Sequence, residues 1–391
     1  MINVLYFIPT FGPGGTEKIV LNLCNLISPD RFKTNVCTFQ TGEFEKELKK
    51  GQSVFTLVNG NSRPKSIIRK GLNFVDRIKL LNQILKEESI DILHTHHLGP
   101  FIHALPTLRK RQSIKWLHTE HPRPDIDGIY SKSELNVCKY LFRFPDILTG
   151  VSNATSSYFY NDARVPKDKV ITILNGVDTE QFTKLEERTF LRKELKFSEN
   201  EQIIGIVGNL RKEKNHKTLI NAFSKVHCKL PSSRLIIIGD GECRRELEEL
   251  VSELDIVDYV HFLGYRLDVP EIMSAIDVYC LPSSFEGMPL SIIEAWAVGK
   301  PVVATDVIGI KELVRHGENG VLVPSDNPER LAEGLIKVLI DGNLREKISR
   351  NGQKFALENC TVERMVKQYE DLYLKLMNGK VHTNIFPTNG A

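Results

Sequence analysis

The chain has 391 residues, of which 41% are hydrophobic and 26% are charged, and its formal net charge at pH 7 is +3. This composition is typical of a globular protein and excludes disordered and collagen-like chains. The length predicts two domains, each of roughly 150–200 residues.

The seven cysteines are widely spaced and form no Cys-x-x-Cys pair. This pattern indicates reduced thiols in a cytoplasmic protein rather than a disulfide framework or a zinc site. No run of about 18 apolar residues occurs, so we predict no membrane-spanning helix. The first residues have the length of a signal peptide, but they lack a basic start and Pro9 interrupts the apolar run. We therefore interpret them as a buried strand followed by a glycine loop.

Short apolar segments alternate with longer segments of helical periodicity along the chain. Strand-like segments occupy 2–8, 34–39, 53–58, 91–96, 114–120, 147–152 and 170–176, and then 202–210, 234–241, 260–265, 277–283, 300–305 and 320–324. The helical patterns between them include 15–27, 217–229 and 242–254. This alternation predicts parallel sheets built of βαβ units, and the two series predict an α/β protein with two doubly wound, Rossmann-like domains.

A charged interval at 184–201 separates the two series, which places the linker near 178–200. We predict an N-terminal domain over 1–180, a C-terminal domain over 181–361, and a helix over about 362–378 that crosses back to the first domain. Residues 379–391 are predicted to form a loose tail. Ligands of doubly wound sheets bind at the carboxyl ends of the strands, so we expect a central cleft faced by both domains.

A glycine loop follows the first predicted strand, with Gly12, Gly14 and Gly15 directly before the first helix. Glycines allow close approach of a ligand to the backbone, and a helix N-terminus favours anions. The loop does not match Gly-x-Gly-x-x-Gly, which disfavours a nicotinamide cofactor. A plain tight turn is the alternative interpretation.

The stretch from Arg63 to Lys86 is strongly basic and contains a single acid, Asp76. A basic, partly amphipathic helix can lie on anionic lipid, which would make the protein peripheral at the inner face of the membrane. The alternative is a helix packed on the sheet with a solvated basic face. The stretch has few aromatic residues between its charges, so we expect no nucleic-acid partner.

Two sequence features allow a metal site, although neither favours one. Six of the eleven histidines lie between residues 94 and 121, but no helical His-Glu-x-x-His pattern occurs. Alternate strand residues share a face, so His94 and His96 lie together and His97 does not. Asp125 and Asp127 form an Asp-x-Asp, but in a proline-rich loop. We expect one or two of the imidazoles to line a cleft as hydrogen-bond partners.

Three cations, Arg211, Lys212 and Lys214, follow the first strand of the second predicted domain. Cations at a strand end that faces a cleft suit a diphosphate, whereas a solvated loop is the alternative interpretation.

Two acids, Glu286 and Glu294, are separated by seven residues in the segment 283–305. Pro289 suits the first turn of a helix, so we expect Glu286 to precede a helix start at which the amides of Met288 and Leu290 have no acceptor within the helix. Glu294 lies within the apolar helix and requires hydroxyl or amide donors. A diphosphate on the amides, with sugar hydroxyls on the two acids, would satisfy all of these groups.

With these motifs, the sequence resembles the family 4 retaining glycosyltransferases of the GT-B fold. The resemblance covers nearly the whole chain and is strongest from about residue 203 to 338. It rests on motifs in family order, namely the glycine loop, "WLHTEH", "ITILNGVDTEQF", "IGIVGNLRKEKNHKTLINAF", "LIIIGDGECRREL", "VHFLGY" and the Glu-x7-Glu of "EGMPLSIIEA".

The resemblance implies roles for particular residues. Glu286 would contact hydroxyls of the donor sugar, Glu294 the donor ribose, and Lys214 the diphosphate. His121 matches the first-domain histidine that meets the donor sugar, so that His121, Glu286 and Lys214 form the implied catalytic set. The implied donor-binding set is Gly14, Gly15, Asn209, Arg211, Lys214, Leu263, Gly264, Glu286, Gly287, Met288, Pro289, Leu290 and Glu294. Asn209 stands where the family usually has Arg, and Arg211 or Lys214 would supply that charge.

The resemblance further implies metal-independent transfer with retention, from a UDP- or GDP-sugar donor and without a cofactor, to a glycan or lipid-linked acceptor in cell-surface polysaccharide synthesis. A sugar-nucleotide epimerase of the same fold is an alternative, and the Glu-x7-Glu match counts against it. A non-catalytic glycan-binding protein is a second alternative, against which the intact Glu286, Glu294 and Lys214 count.

Overall fold

The structure is a computed structural model that describes residues 1–57, 67–109, 113–125, 131–183 and 190–379. The chain divides into two compact units, one formed by Met1–Asn175 with the segment from Glu363 onward and the other by Gly176–Val362. The sequence predicts a boundary between residues 180 and 181. In the structure the boundary lies between Asn175 and Gly176, so the segment 176–180 belongs to the second unit instead of the first. Apart from Gly379, the predicted tail lies outside the described residues.

The first unit is built on a seven-stranded parallel sheet with the order β3-β2-β1-β4-β5-β6-β7. Its strands are β1 (Ile2–Ile8), β2 (Phe32–Thr38), β3 (Val54–Thr56), β4 (Ile92–His96), β5 (Lys115–Glu120), β6 (Ile147–Gly150) and β7 (Val170–Thr172). Its helices are α1 (Gly15–Leu26), α2 (Ile67–Glu87), α3 (Leu98–Leu108), α4 (Lys132–Leu141), α5 (Asn153–Asn161) and, at the end of the chain, α15 (Val362–Met377). The strand order reverses beside β1, as in a doubly wound sheet.

Apolar strands at the centre of this sheet form the core of the first unit. Residues 4–8 of β1 are all buried, which is expected for a parallel strand covered by helices on both faces. Helix α15 packs on the same unit, because Glu370 accepts a hydrogen bond from the amide of Ser28 at 2.7 Å and Tyr373 bonds His94 at 2.7 Å. The last helix of the described chain therefore belongs to the first unit in space.

The second unit is built on a six-stranded parallel sheet with the order β10-β9-β8-β11-β12-β13. Its strands are β8 (Gln202–Val207), β9 (Ser233–Ile238), β10 (Val260–Gly264), β11 (Val278–Leu281), β12 (Val302–Thr305) and β13 (Val321–Val323). Its helices are α6 (Thr179–Thr183), α7 (Phe190–Glu194), α8 (His216–Lys229), α9 (Arg244–Glu253), α10 (Val269–Ala275), α11 (Leu290–Ala297), α12 (Ile310–Leu313), α13 (Pro328–Ile340) and α14 (Gly342–Asn359). The order reverses between β8 and β11, so the prediction of two doubly wound parallel sheets is confirmed.

Helix α11 is held in the second unit by its tryptophan. Trp296 is fully buried, and its indole nitrogen donates to the carbonyl of Asn319 at 3.1 Å. A Cβ at Gly352 of α14 would lie 2.3 Å from the Trp296 ring, so glycine permits this close approach. The packing fixes α11, and with it the loop that precedes the helix.

In the part of the chain that the structure describes, no helix is both long and apolar enough to cross a membrane.

Candidate functional site

The carboxyl ends of β8 and β11 are neighbours in the second sheet, at the point where the strand order reverses. Doubly wound sheets bind ligands at such a point because the loops of the two adjacent strands diverge there. Lys214 ends a short 3₁₀ turn, Lys212–Lys214, after β8, and Glu286 lies in the loop after β11. The amide of Ser284 donates to the carbonyl of Glu213 at 2.8 Å, which joins the two loops directly.

The structure brings the predicted residues Lys214 and Glu286 into contact. The Lys214 ammonium lies 2.6 Å from Oε1 of Glu286, and the hydroxyl of Ser283 donates to the same oxygen at 2.7 Å. The side chains of Lys214 and Glu286 are 24% and 11% exposed. The pair is therefore a charge-assisted contact at the carboxyl ends of β8 and β11 and not a solvated surface ion pair.

Helix α11 begins directly after this pair. Pro289 occupies the N-cap position, where it forms no side-chain hydrogen bond, and the first turn contains no acidic residue. The helix starts at Leu290, so the prediction that Pro289 lies in the first turn is wrong by one residue. Since proline offers the first turn no side-chain acceptor, these amides can receive an anion together with the helix dipole. Met288 and Gly287, both assigned to the donor site, form the approach to this helix start.

Glu294 lies one turn into α11 and is partly exposed rather than enclosed in the apolar core. Tyr279 of β11 lies beside it. Burial raises the pKa of the Tyr279 phenol well above its usual range, a hydrogen bond with Ser291 opposes that rise, and the charges of Glu294 and Glu286 add to it. The phenol therefore stays protonated, and its hydroxyl donates to the carbonyl of Val207 at 3.3 Å. Sequence reasoning missed Tyr279 because it stands in an apolar strand without a polar pattern.

Four further donor-site candidates surround the ends of β8 and β10. Asn209 and Arg211 are exposed, and among the described residues the Arg211 guanidinium has no ion-pair partner. Leu263 and Gly264 end β10, where Gly264 has a φ of +68° and accepts a hydrogen bond from the amide of Gly239 at 2.8 Å. These residues line one edge of the sheet, as strand ends of one parallel sheet must.

In the first unit, Gly14 is the N-cap of α1 and Gly15 is its first residue. A Cβ on Gly14 would lie 2.2 Å from a carboxylate oxygen of Glu17, so this side chain folds back over the helix start. The other Glu17 oxygen accepts a hydrogen bond from Thr10 at 2.9 Å. A carboxylate of the chain itself thus lies at the predicted anion site.

The predicted histidine cluster is a buried network at the ends of β4 and β5. Nδ1 of His96 lies 3.0 Å from Nε2 of His121, and the rings of His94 and His96 lie on one face with centroids 4.2 Å apart. Burial lowers the pKa values of His94, His96 and His121 well below the usual range, and neighbouring imidazoles lower them further. These imidazoles are therefore neutral at physiological pH, as hydrogen-bonding groups must be in an apolar surrounding.

His97 and Glu120 extend this network, and sequence reasoning did not select Glu120. His97 caps α3 with a φ of +64° and a ψ of 161°, a backbone region that non-glycine residues occupy at a cost of about 1–3 kcal/mol. Its Nε2 bonds Thr16 at 3.0 Å, and its Nδ1 lies 4.0 Å from the fully buried Glu120. Glu120 also contacts Nε2 of His118 at 3.3 Å. Its position directly before His121 was the available signal.

No group of three or more metal-ligating side chains is arranged to hold an ion within the described ranges. Asp125 forms a two-point contact with Arg123, at 2.6 and 3.0 Å. Asp127 lies outside the described residues.

The basic stretch 63–86 falls partly outside the described residues. Its described part belongs to α2, which buries Leu81, Ile84 and Leu85 in the first unit. Arg77 stacks on the ring of Phe39, with 5.1 Å from the guanidinium carbon to the ring centroid. This helix therefore packs on the fold, as the alternative interpretation expected.

The family models match nearly the whole chain. Residues 13–181 match the model described as Glycosyltransferase Family 4, and residues 187–355 match the model described as Glycosyl transferases group 1.

Curated relatives extend over most of both proteins. N-acetyl-alpha-D-glucosaminyl L-malate synthase of Bacillus anthracis is 30% identical over 305 residues, which cover 76% of this chain and 79% of the relative. UDP-Gal:alpha-D-GlcNAc-diphosphoundecaprenol alpha-1,3-galactosyltransferase of Escherichia coli is 26% identical, with 94% of this chain and 95% of the relative covered.

Solved structures define the class of fold. HepE of Anabaena, in complex with UDP-glucose, superposes with a TM-score of 0.84 at 24% identity, covering 96% of this chain and 100% of that chain. Sucrose-phosphate synthase of Thermosynechococcus elongatus gives 0.83 at 21% identity, covering 97% and 100%. The fold is GT-B. With the family models and the relatives, the chain belongs to the family 4 glycosyltransferases. It is a nucleotide-sugar-dependent enzyme.

Proposed function

We propose that this enzyme transfers a hexose-type sugar from a UDP-sugar to a glycan or lipid-linked acceptor in cell-surface polysaccharide synthesis, with retention at the anomeric carbon. The observation that carries the proposal is the pairing of Glu286 with Lys214 directly before the start of α11. This arrangement offers a cation and helix amides to a diphosphate, and a carboxylate to sugar hydroxyls. The names of the Escherichia coli relative and the Anabaena complex support UDP over GDP.

Within the second unit we assign each group a contact with the donor. Lys214 and the amides at Met288 and Leu290 hold the diphosphate, because they are the cation and the helix start nearest to Glu286. Glu286 accepts hydroxyls of the transferred sugar, and Glu294 accepts those of the ribose. An ionised carboxylate carries no proton, so it can accept hydrogen bonds from two vicinal hydroxyls of a sugar.

The remaining candidates have supporting roles. The backbone at Leu263 and Gly264 meets the base, and Arg211 supplies the charge that Asn209 lacks. His121 is the first unit's candidate for a contact with the donor sugar, since a neutral imidazole can donate or accept a hydrogen bond. Gly15, with Gly14, is assigned to the diphosphate, and the carboxylate of Glu17 would have to move for that contact.

The chemistry we propose is a same-face substitution. The acceptor hydroxyl oxygen forms the new bond to the anomeric carbon while the bond from that carbon to the diphosphate oxygen breaks. The electron pair of the broken bond stays on the diphosphate, and the acceptor proton passes to a phosphate oxygen. Lys214 and the α11 amides stabilise the charge that develops on the leaving group. Nuclear magnetic resonance of the glycosidic product, whose anomeric configuration is fixed by the new bond, tests retention: an inverted anomeric centre would refute it.

We propose that no metal ion assists this step, because Lys214, Arg211 and the α11 amides provide the positive charge that a metal supplies in other sugar transferases. Activity should therefore persist in EDTA. Loss of activity in EDTA that Mn²⁺ restores would contradict this and would revive Asp125 and Asp127 as ligands.

A screen of nucleotide sugars by thermal shift and donor hydrolysis tests the function itself. A UDP-sugar should raise the unfolding temperature and be hydrolysed slowly. Glu286→Ala should lower turnover by about 10²–10³-fold, the range found when a group that acts on the transition state is removed. Glu329→Ala, an exposed glutamate of the same unit, is the matched control and should leave turnover unchanged. Normal turnover by Glu286→Ala would refute its assigned role.

For peripheral membrane contact, we propose α4 rather than the stretch 63–86. Val137, Tyr140 and Phe144 are exposed at helical spacing on and just beyond α4. Arg143 stacks on the Tyr140 ring and Arg109 on the Phe144 ring, with the guanidinium carbons 5.4 and 5.3 Å from the centroids. Aromatic rings flanked by cations suit the headgroup region of an anionic bilayer.

Cosedimentation with vesicles of phosphatidylglycerol and phosphatidylcholine tests this surface. The double variant Val137→Ser/Tyr140→Ser should reduce binding several-fold, and the remaining binding should fall as salt rises. Val257→Ser provides the control, because Val257 and Val137 are both 57% exposed and Val257 lies in the second unit. If the protein does not bind these vesicles at low salt, the membrane proposal is wrong.

A further inference from the structure

Ser283 lies two residues after the end of β11 and is fully buried. Its hydroxyl donates to Oε1 of Glu286 at 2.7 Å, and its carbonyl accepts a hydrogen bond from the fully buried Thr305 at 2.6 Å. A chain of hydrogen bonds therefore runs from the end of β12 through Ser283 to the carboxylate.

The two donors to Glu286 converge on one oxygen. Lys214 and Ser283 both bond Oε1, whereas Oε2 has no hydrogen-bond partner among the described residues. Two donors on one oxygen fix the plane of the carboxylate, because rotation about its last bond would break both contacts. The free oxygen is therefore held in one direction and is ready to accept from a ligand.

We propose that Ser283 is a positioning residue that orients Glu286 for the donor sugar. The proposal rests on the proposed function, in which Glu286 accepts hydroxyls of that sugar. Lys214 alone does not suffice for this orientation, since its flexible stem can follow the carboxylate and its charge is also needed at the diphosphate. Ser283 is fully buried and its carbonyl is held by Thr305, so it keeps the carboxylate in place when the diphosphate draws Lys214 away.

The competing explanation is that Glu286 merely satisfies a buried serine hydroxyl. The two explanations differ in which ligand is affected. A positioning role affects the sugar and the transition state but not the nucleotide, because UDP carries no transferred sugar. A structural role disturbs the loop as a whole, including the start of α11, and so weakens UDP as well.

The experiment compares Ser283→Ala with Ser284→Ala in the full chain. Ser284 is the neighbouring serine, it is exposed, and it receives the identical substitution. Two quantities are measured, namely kcat/KM for the UDP-sugar found by the screen and the dissociation constant of UDP by calorimetry. We expect Ser283→Ala to lower kcat/KM by about 10- to 100-fold, as for a charge-assisted bond that fixes a reacting geometry, with UDP affinity unchanged within about twofold. Ser284→Ala should change neither.

A double-mutant cycle sharpens the result. In the background of Glu286→Ala, the further change Ser283→Ala should have no effect on residual turnover, since the group that it positions is gone. Should Ser283→Ala fail to fold, Ser283→Cys keeps a similar volume and a weaker donor, and it should show a smaller loss of kcat/KM with the same unchanged UDP affinity.

Three outcomes overturn the proposal. Ser283→Ala with the turnover of the wild type shows that the bond is not used, and a parallel loss of UDP affinity shows a structural role. If the wild-type enzyme binds UDP and hydrolyses no nucleotide sugar, the proposed function fails and the assignment of Ser283 falls with it. If the wild-type enzyme is active and only the Ser283→Ala result contradicts our expectation, then the positioning role is wrong and the proposed function stands.

Discussion

The two units solve the problem of polar groups near an apolar core in opposite ways. In the first unit, His94, His96 and His121 are buried, and burial holds them neutral by lowering their pKa values. In the second unit, Glu286 and Lys214 remain partly exposed and form an ion pair at 2.6 Å. Burial favours the uncharged form of an isolated group, whereas a close opposite charge favours the charged form. The comparison indicates that charge stabilisation belongs to the second unit and neutral hydrogen bonding to the first.

The units also differ in how their polar groups are held. The imidazoles of the first unit bond one another and the hydroxyls of Thr16, Thr119 and Tyr373. In the second unit, Glu286 lies on a loop whose backbone packs closely against Gly309. Gly309 has a φ of +81°, and a Cβ there would lie 2.2 Å from the carbonyl oxygen of Glu286. The first network is held by side chains, whereas the second site depends on the path of the backbone as well as on side chains.

The largest effect should follow from removal of the cation in the second unit. Lys214→Ala removes the proposed diphosphate contact and leaves Glu286 with Ser283 as its partner, so kcat/KM should fall by about 10²–10³-fold. Arg211→Ala removes an exposed guanidinium and should lower kcat/KM by less than about tenfold, because exposed charges are screened by water. Steady-state kinetics with one UDP-sugar measures both. If Arg211→Ala loses as much as Lys214→Ala, then Arg211 is as important to the diphosphate as Lys214, and water does not screen its charge as we expect.

A somewhat smaller loss of activity should follow from adding a methyl group at Gly309, next to the loop that carries Glu286. In Gly309→Ala the new Cβ meets backbone that cannot rotate away, so the loop at Glu286 must shift by roughly 1 Å, which is worth about 10² in rate. Gly317→Ala is the matched control, since Gly317 also has a positive φ, +72°, but no described heavy atom lies within 4 Å of its would-be Cβ. That variant should lose about 1 kcal/mol of stability from strain and keep its activity. Equal activities of the two variants would show that the path of this loop is unimportant.

These variants also show how far the sequence could predict the molecule. The alternation of apolar strands with helical patterns was sufficient for two doubly wound sheets, because each strand of a parallel sheet reads as one apolar run. The proximity of Lys214 and Glu286 was also accessible, since both follow strands whose ends meet at the reversal of strand order.

The interior of the site was not accessible in the same way. No local pattern marks Ser283 or Gly309, because their partners are set by how two loops stack in three dimensions. Glu120 and Tyr279 lie in strands, and the spacing of the polar residues in these strands does not indicate a functional site. Which oxygen of Glu286 is occupied is a matter of rotamer, and spacing along the chain does not determine a rotamer.

The smallest effect concerns the stability of the two units in acid, and it tests the neutral histidine network directly. The pKa values of His94, His96, His97, His103 and His121 in the first unit are lowered by burial, so each takes up a proton more readily in the unfolded chain. Their contribution to stability is therefore fully present above about pH 6.5 and is lost as the pH falls below it, by up to about 1.4 kcal/mol per pH unit for each group. In the second unit the same holds for His216, whose pKa is lowered to about 4, and for His227 and His261.

The two tryptophans of the chain allow the units to be followed separately, because Trp116 is buried in β5 of the first unit and Trp296 in α11 of the second. Trp296→Phe leaves Trp116 as the reporter of the first unit, and Trp116→Phe leaves Trp296 as the reporter of the second. Thermal unfolding followed by fluorescence at about pH 7.5 and about pH 5.5 should show a larger fall in Tm for the first unit, by several degrees. The reason is that its histidines are more numerous and that His94, His96 and His121 are buried and repel one another once protonated. Among the described histidines of the second unit only His216 is buried, whereas His227 and His261 are partly exposed. Equal shifts in the two variants would mean that the first unit admits protons without unfolding, and its network would then be a titrating site instead of a neutral one.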